Sequence, residues 1–125
     1  MSAQENKAVL IRWLEALGSL DRELWDQLVD ELYTSDYVFY DPSFANMRGR
    51  ADLKQWMRGR MMDVVCLQFK IENLVAEGDC VAVQGLETVT FKSTGKSALY
   101  STMLFSHFAD GMISEQWQLF GSFQQ

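Results

Sequence analysis

The sequence predicts an α+β roll, with three helices in its N-terminal half packed on a strongly bent antiparallel β-sheet. Three observations carry this. Apolar residues recur at helical intervals in the first half, the period switches to two from Leu67, and turn motifs divide the second half into long strands.

Ser2 and Glu5 have the spacing of a capping box, and Leu10, Trp13, Leu14 and Leu17 follow at helical intervals up to Gly18. They predict a first helix. Asp21 is placed to cap a second, in which Leu24, Leu28 and Leu32 form a stripe with Trp25 and Val29 beside it, ending near Thr34. The run YVFYD is short, β-branched and aromatic. Pro42, the only proline, then offers no N–H to a ladder and holds Asp41 extended, so a strand ends there. Beyond the loop PSFANMRG, Leu53, Trp56 and Met57 mark a third helix from about Arg50 to Met62. Leu67, Phe69 and Ile71 alternate with Gln68, Lys70 and Glu72, and the phase slips near Asn73, as at a β-bulge. The turns AEGD, KSTGK and ADG separate three further strands, CVAVQGLETVTFK, SALYSTMLFSHF and MISEQWQLFG.

A chain of 125 residues suits one domain with a real core, and residues 1–125 read as a single domain. No stretch is apolar enough for a membrane span. The opening MSAQENKAVLIRWLEALG does not read as a signal peptide, because Arg12 and Glu15 break its apolar run. A net charge of −6 opposes a phosphate backbone, so nucleic acid is not an expected partner. Arg48, Arg50, Lys54, Arg58 and Arg60 gather around the third helix and read as a solvated face. A hairpin at AEGD would set Cys66 opposite Thr90 and away from Cys80, so no disulfide is expected, which suits a reducing cytoplasm. One histidine and no CxxC or HExxH spacing leave no recognisable metal site, and no cofactor is expected.

Taken in order, RWLEALGSLD, LYTSDYVFYDP, GRADLKQWM and FADGMISEQWQLF resemble the NTF2-like superfamily, in its ketosteroid-isomerase and SnoaL-like branch, over essentially the whole chain. The resemblance implies a cone-shaped roll whose concave sheet and three helices enclose a deep apolar pocket for a small hydrophobic molecule. It also implies that Asp41 is the general base of proton transfer, by its place in the E-D-P motif of the isomerases. Trp13 stands where their oxyanion-hole tyrosine would be, Leu104 where their protonated acid would be, and Met57 where a supporting tyrosine would be. Trp56 and Phe120 match bulky pocket positions. With both oxygen donors replaced, isomerisation of a 3-oxo steroid is not expected.

If Leu104 and Phe120 face inward, alternation brings in Tyr100, Thr102 and Ser106 on one strand and Gln116 and Gln118 on the last. The alignment turns Val83, Gly85, Glu87 and Val89 inward, making Glu87 a second acid beside a glycine that leaves room. Tyr33, Tyr37 and Tyr40 read as packing residues. His107 shares the parity of Met103 and Phe105 and falls outside the catalytic set. These two, with Ile113, Trp117 and Leu119, form an outer face too apolar for water, which predicts a homodimer.

The expected function is cofactor-free acid–base chemistry of isomerase, cyclase or hydrolase type. Asp41 and Glu87 would be catalytic; Trp13, Trp56, Met57, Tyr100, Thr102, Leu104, Gln116, Gln118 and Phe120 would bind substrate. A non-catalytic ligand-binding or dimerisation module is the alternative, and an interaction domain working through its sheet face is a third reading.

Overall fold

A computed structural model describes residues 2–42 and 46–122. Residues 43–45 of the loop after Asp41 lie outside the described residues.

Helix α1 spans Ala3–Ser19. Its capping box forms as expected: the Ser2 N–H donates to Glu5 Oε1, and the Glu5 N–H to Ser2 Oγ, each at 3.1 Å. The helix stops at Leu20, which turns left-handed with φ 56°. Helix α2, Arg22–Leu32, is capped by Asp21, whose Oδ1 accepts the Leu24 N–H at 3.1 Å. The Trp25 indole N–H donates 2.7 Å to the Ala16 carbonyl and locks the two helices together. There is no loop after α2. Tyr33 is already extended and begins strand β1, Tyr33–Tyr40, slightly earlier than the sequence predicts, because Tyr33 pairs with the last strand.

A two-residue strand β2, Met47–Arg48, pairs back on β1 and leads into helix α3, Gly49–Arg60. Four long strands follow: β3, Val64–Glu77; β4, Cys80–Phe91; β5, Ser97–Ala109; and β6, Met112–Ser122. The sheet order is β2-β1-β6-β5-β4-β3. The β3 to β6 meander is antiparallel, but β1 runs parallel to β6, so the sheet is mixed rather than wholly antiparallel. Hairpin turns dictate antiparallel neighbours only within the meander. β1 and β6 are joined by no hairpin: β2, α3 and three strands lie between them in the chain, long enough for a parallel pairing. The expected bulge falls between Ile71 and Asn73, and Cys66 lies opposite Thr90.

The concave face buries Val81, Val83, Glu87 and Val89 of β4 and Thr102, Leu104, Ser106 and Phe108 of β5 against the helices. The outer face exposes Met103, Phe105, Trp117 and Leu119. Ile113 departs from the expected outer set and is fully buried. A register shift between His107 and Phe108 pairs Ile113 with Phe108, and such a shift exchanges the faces of the sheet. No helix among the described residues is long and apolar enough to cross a membrane.

Candidate functional site

Helices α1 and α3 close over the concave face around a cavity of about 80 Å³. Its apolar wall comes from Trp13, Leu14 and Leu17 of α1, Leu53, Trp56, Met57 and Met61 of and just after α3, and Leu67 and Phe69 of β3. Strand alternation supplies Glu87, Thr102, Leu104, Gln116, Gln118 and Phe120 from the facing strands. Every residue assigned to substrate binding from the sequence therefore lines this cavity except Tyr100.

Tyr100 lines a second, outer hollow of about 280 Å³, which shares Arg60, Met61, Glu87 and Phe120 with the cavity. Glu87 thus stands at the junction of the two. The cavity alone is well below the usual several hundred Å³ of a pocket for a drug-sized ligand, whereas cavity and outer hollow together approach that range.

Glu87 is about 9% exposed, and burial raises its carboxyl pKa above the usual value of 4.5, with the Arg60 guanidinium opposing the rise. Arg60, at the last turn of α3, sets its guanidinium carbon 5.1 Å from the centre of the Trp56 ring and 4.8 Å from that of Phe120. It is not part of a uniformly solvated face. Arg50 also turns inward, donating from Nε at 2.9 Å and Nη2 at 2.7 Å to the Tyr33 carbonyl. Lys54 and Arg58 remain surface partners of Asp30 and Asp26.

Behind the cavity runs a buried polar chain. The Tyr37 hydroxyl donates 2.7 Å to Gln116 Oε1, and Gln116 Nε2 donates 2.9 Å to Ser106 Oγ. Burial holds the Tyr33 and Tyr37 hydroxyls well above the usual phenol pKa of 10, so both are neutral. Tyr37 is therefore more than a packing residue. The Thr102 hydroxyl oxygen is fully buried on the cavity wall without a hydrogen-bond partner among the described residues. Thr102 is opposite Gly85, and Glu87 is opposite Tyr100, so Thr102 and Glu87 are diagonal neighbours on one face.

The geometry separates the two expected catalytic acids. Asp41 is buried, at 3% exposure, but lines an adjoining hollow of about 560 Å³ with Tyr40, Met103, Phe105, Trp117 and Leu119, which shares Leu104 and Gln118 with the cavity. Tyr40 pairs with Trp117 in parallel, so Asp41 follows level with the row Gln118, Leu104, Val83. Glu87 is four residues beyond Val83, about 13 Å along the strand at 3.3 Å per residue. The acids do not form a pair across one cavity. The room expected beside Gly85 is also taken, because the Phe69 ring lies over it.

Tyr37 and Arg60 are the two functional candidates that sequence reasoning passed over. Signals for both existed: Tyr37 shares strand parity with Phe39, and Arg60 follows Trp56 at the i+4 spacing that shares a helix face. Among the described residues no three His, Cys, Asp or Glu side chains are grouped as metal ligands.

A family model for the SnoaL-like domain matches residues 10–116. No curated protein matches the chain by sequence. Among solved structures, a SnoaL-like candidate polyketide cyclase from Jannaschia sp. CCS1 is similar at 20% identity and TM-score 0.84, covering 94% of this chain and 86% of that one. The candidate hydroxylase AclR from Streptomyces galilaeus is similar at 23% identity and TM-score 0.81, covering 96% and 91%. An LEH-like epoxide hydrolase from M. tuberculosis is similar at 21% identity and TM-score 0.78, covering 95% and 84%. At these identities the likeness to the three structures is one of fold.

Proposed function

The chain belongs to the SnoaL-like domain family, and on that premise we propose that it is an enzyme of cyclase, isomerase or hydrolase type acting on a small hydrophobic molecule by acid–base chemistry. The observation that carries this reading is Glu87, a buried carboxyl with a raised pKa at the junction of an apolar cavity and its outer hollow. Such a group holds a proton more readily than a solvated carboxyl and can serve as an acid or a base. Thr102 is its neighbour, and its hydroxyl is available to a carbonyl or hydroxyl oxygen of the ligand. Tyr37 fixes Gln116, which fixes the polar end of the cavity. The apolar walls exclude water, which strengthens every polar contact made inside. In this mechanism Glu87, which lines the cavity itself, transfers the proton, and Asp41 stands in the adjoining hollow.

A binding module is favoured by one observation, that among the described residues a single carboxyl lines the cavity. The same experiment separates the two readings. Wild-type protein and the Glu87→Gln variant are incubated in D2O with small cyclic ketones and with small epoxides. Exchange at the carbon beside the carbonyl, or ring opening, is followed by NMR. An enzyme should exceed buffer and lose about 100-fold or more on Glu87→Gln. Binding without turnover in either protein would establish the module instead.

The outer face supports a homodimer. Tyr40 stacks on Trp117 with ring centres 5.3 Å apart, and Phe105 meets Trp117 edge-on at 5.7 Å, which makes an ordered aromatic surface beside exposed Met103 and Leu119. Two unpaired thiols, at Cys66 and Cys80, suit a reducing compartment such as the cytoplasm.

A further inference from the structure

The outer hollow sets a guanidinium beside a buried carboxyl. The chain carries a net charge of −6, yet the described residues lining this hollow and the cavity include one permanent cation, Arg60, and one acid, Glu87, which burial drives toward its neutral form. The other titratable groups on these walls are Tyr33 and Tyr37 from β1 and Tyr100 from β5. The described lining residues of α1, β3 and β6 contribute none. The mouth of the site therefore sets one guanidinium beside a carboxyl whose ionised form burial disfavours, while the walls of the inner cavity are mainly apolar. Arg60 is braced against Trp56 and Phe120, so its position is held by ring contacts rather than by Glu87 alone.

We propose that the ligand of this site is an apolar molecule ending in a carboxylate, with its head group in the outer hollow against the Arg60 guanidinium, the Tyr100 hydroxyl and the Glu87 carboxyl group, and its body in the inner cavity. The proposal rests on the reading of the cavity as a small-molecule site and narrows its substrate class. Arginine matches a carboxylate with paired N–H donors, and the phenol of Tyr100 adds a third donor on the same wall. An anion there also changes Glu87. It offsets the Arg60 charge that favours the ionised form and adds a like charge beside the carboxyl, so Glu87 takes a proton from solvent as the ligand binds. The protonated acid then donates to the carboxylate instead of repelling it. Binding and protonation of the proposed proton-transfer group are in this way one event.

Calorimetry with phenylacetate and its neutral isostere phenylacetamide tests the proposal at pH 7. In wild type the carboxylate should bind about tenfold or more tighter than the amide, with a heat that differs between Pipes and Tris because a proton is taken up. Arg60→Gln should weaken carboxylate binding more than amide binding and bring the two within about twofold, with a far-UV spectrum like that of wild type showing that the variant is folded. Glu87→Gln should abolish the buffer dependence. Equal affinity for the two probes, equal weakening of both by Arg60→Gln, absence of proton uptake, or no binding of either probe would each overturn the proposal. The outcome is separable from that for catalysis. Glu87-dependent turnover of neutral compounds without carboxylate preference would defeat this inference and leave the enzyme reading standing. Carboxylate preference without turnover would do the reverse.

Discussion

Phe69 covers Gly85: a β-carbon added at the glycine would stand 2.8 Å from the Phe69 ring and 2.5 Å from the Lys70 carbonyl oxygen. The first neighbour is a side chain and can move, but the second is backbone in the β3–β4 ladder. Gly85→Ala should therefore destabilise the fold by about 1–3 kcal/mol in urea denaturation. Truncating Phe69 in the same chain should not rescue it. Recovery on truncation would mean that the ring, not the carbonyl, sets the limit.

The raised pKa of Glu87 makes stability depend on pH with a definite sign. A carboxyl whose folded-state pKa lies above its unfolded value costs nothing while both states are protonated. It weakens the fold as pH climbs from the unfolded value, near 4.5, through the folded one, and the loss is constant above that. Glu87→Gln should therefore melt higher than wild type at neutral pH and converge with it in acid. Parallel melting curves from pH 3 to 8 would show that the carboxyl is as well solvated in the fold as outside it.

Removing the hydroxyl of Tyr37 leaves Gln116 Oε1 without its 2.7 Å donor in a buried site. Tyr37→Phe should cost about 1–3 kcal/mol by denaturant titration. Tyr37→Phe combined with Gln116→Leu should cost less than the sum of the single changes, because the second removes the stranded acceptor. Additive losses would mean that the two side chains do not act as one unit.

Trp117 is 40% exposed at the centre of the outer aromatic cluster. Sedimentation at micromolar concentration should give about twice the chain mass, and Trp117→Glu should return it to a monomer while leaving the far-UV spectrum intact. A wild-type monomer, or a variant that stays dimeric, would place the interface elsewhere.

Local signals were legible in the sequence wherever one residue type has one physical use. Ser2 with Glu5, Asp21, the bulge near Asn73 and the Cys66–Thr90 register all follow from short-range chemistry and turn placement. Alternation from Leu104 and Phe120 also brought Thr102 and Gln116 to the concave face, and the family resemblance brought Glu87 there. Relations between distant segments were hidden. The parallel pairing of β1 with β6 has no turn to announce it, and the register shift at His107 reversed Ile113. Separation of Asp41 from Glu87 needs the register of four strands at once, so a shared inward parity concealed it.

The pairing of Tyr33 with Ile113 ties an early strand to the last one made. During synthesis β1 has only the two residues of β2 as a partner until Met112–Ser122 leave the ribosome, while the β3–β4–β5 meander can already zip up from its own turns. Folding is then paced by closure of this longest loop, a high-contact-order step that places it among slow rather than fast small domains. A chain truncated before β6 would gain two open strand edges, one on β1 and one on β5, beyond those of β2 and β3, and would be the form most prone to self-association.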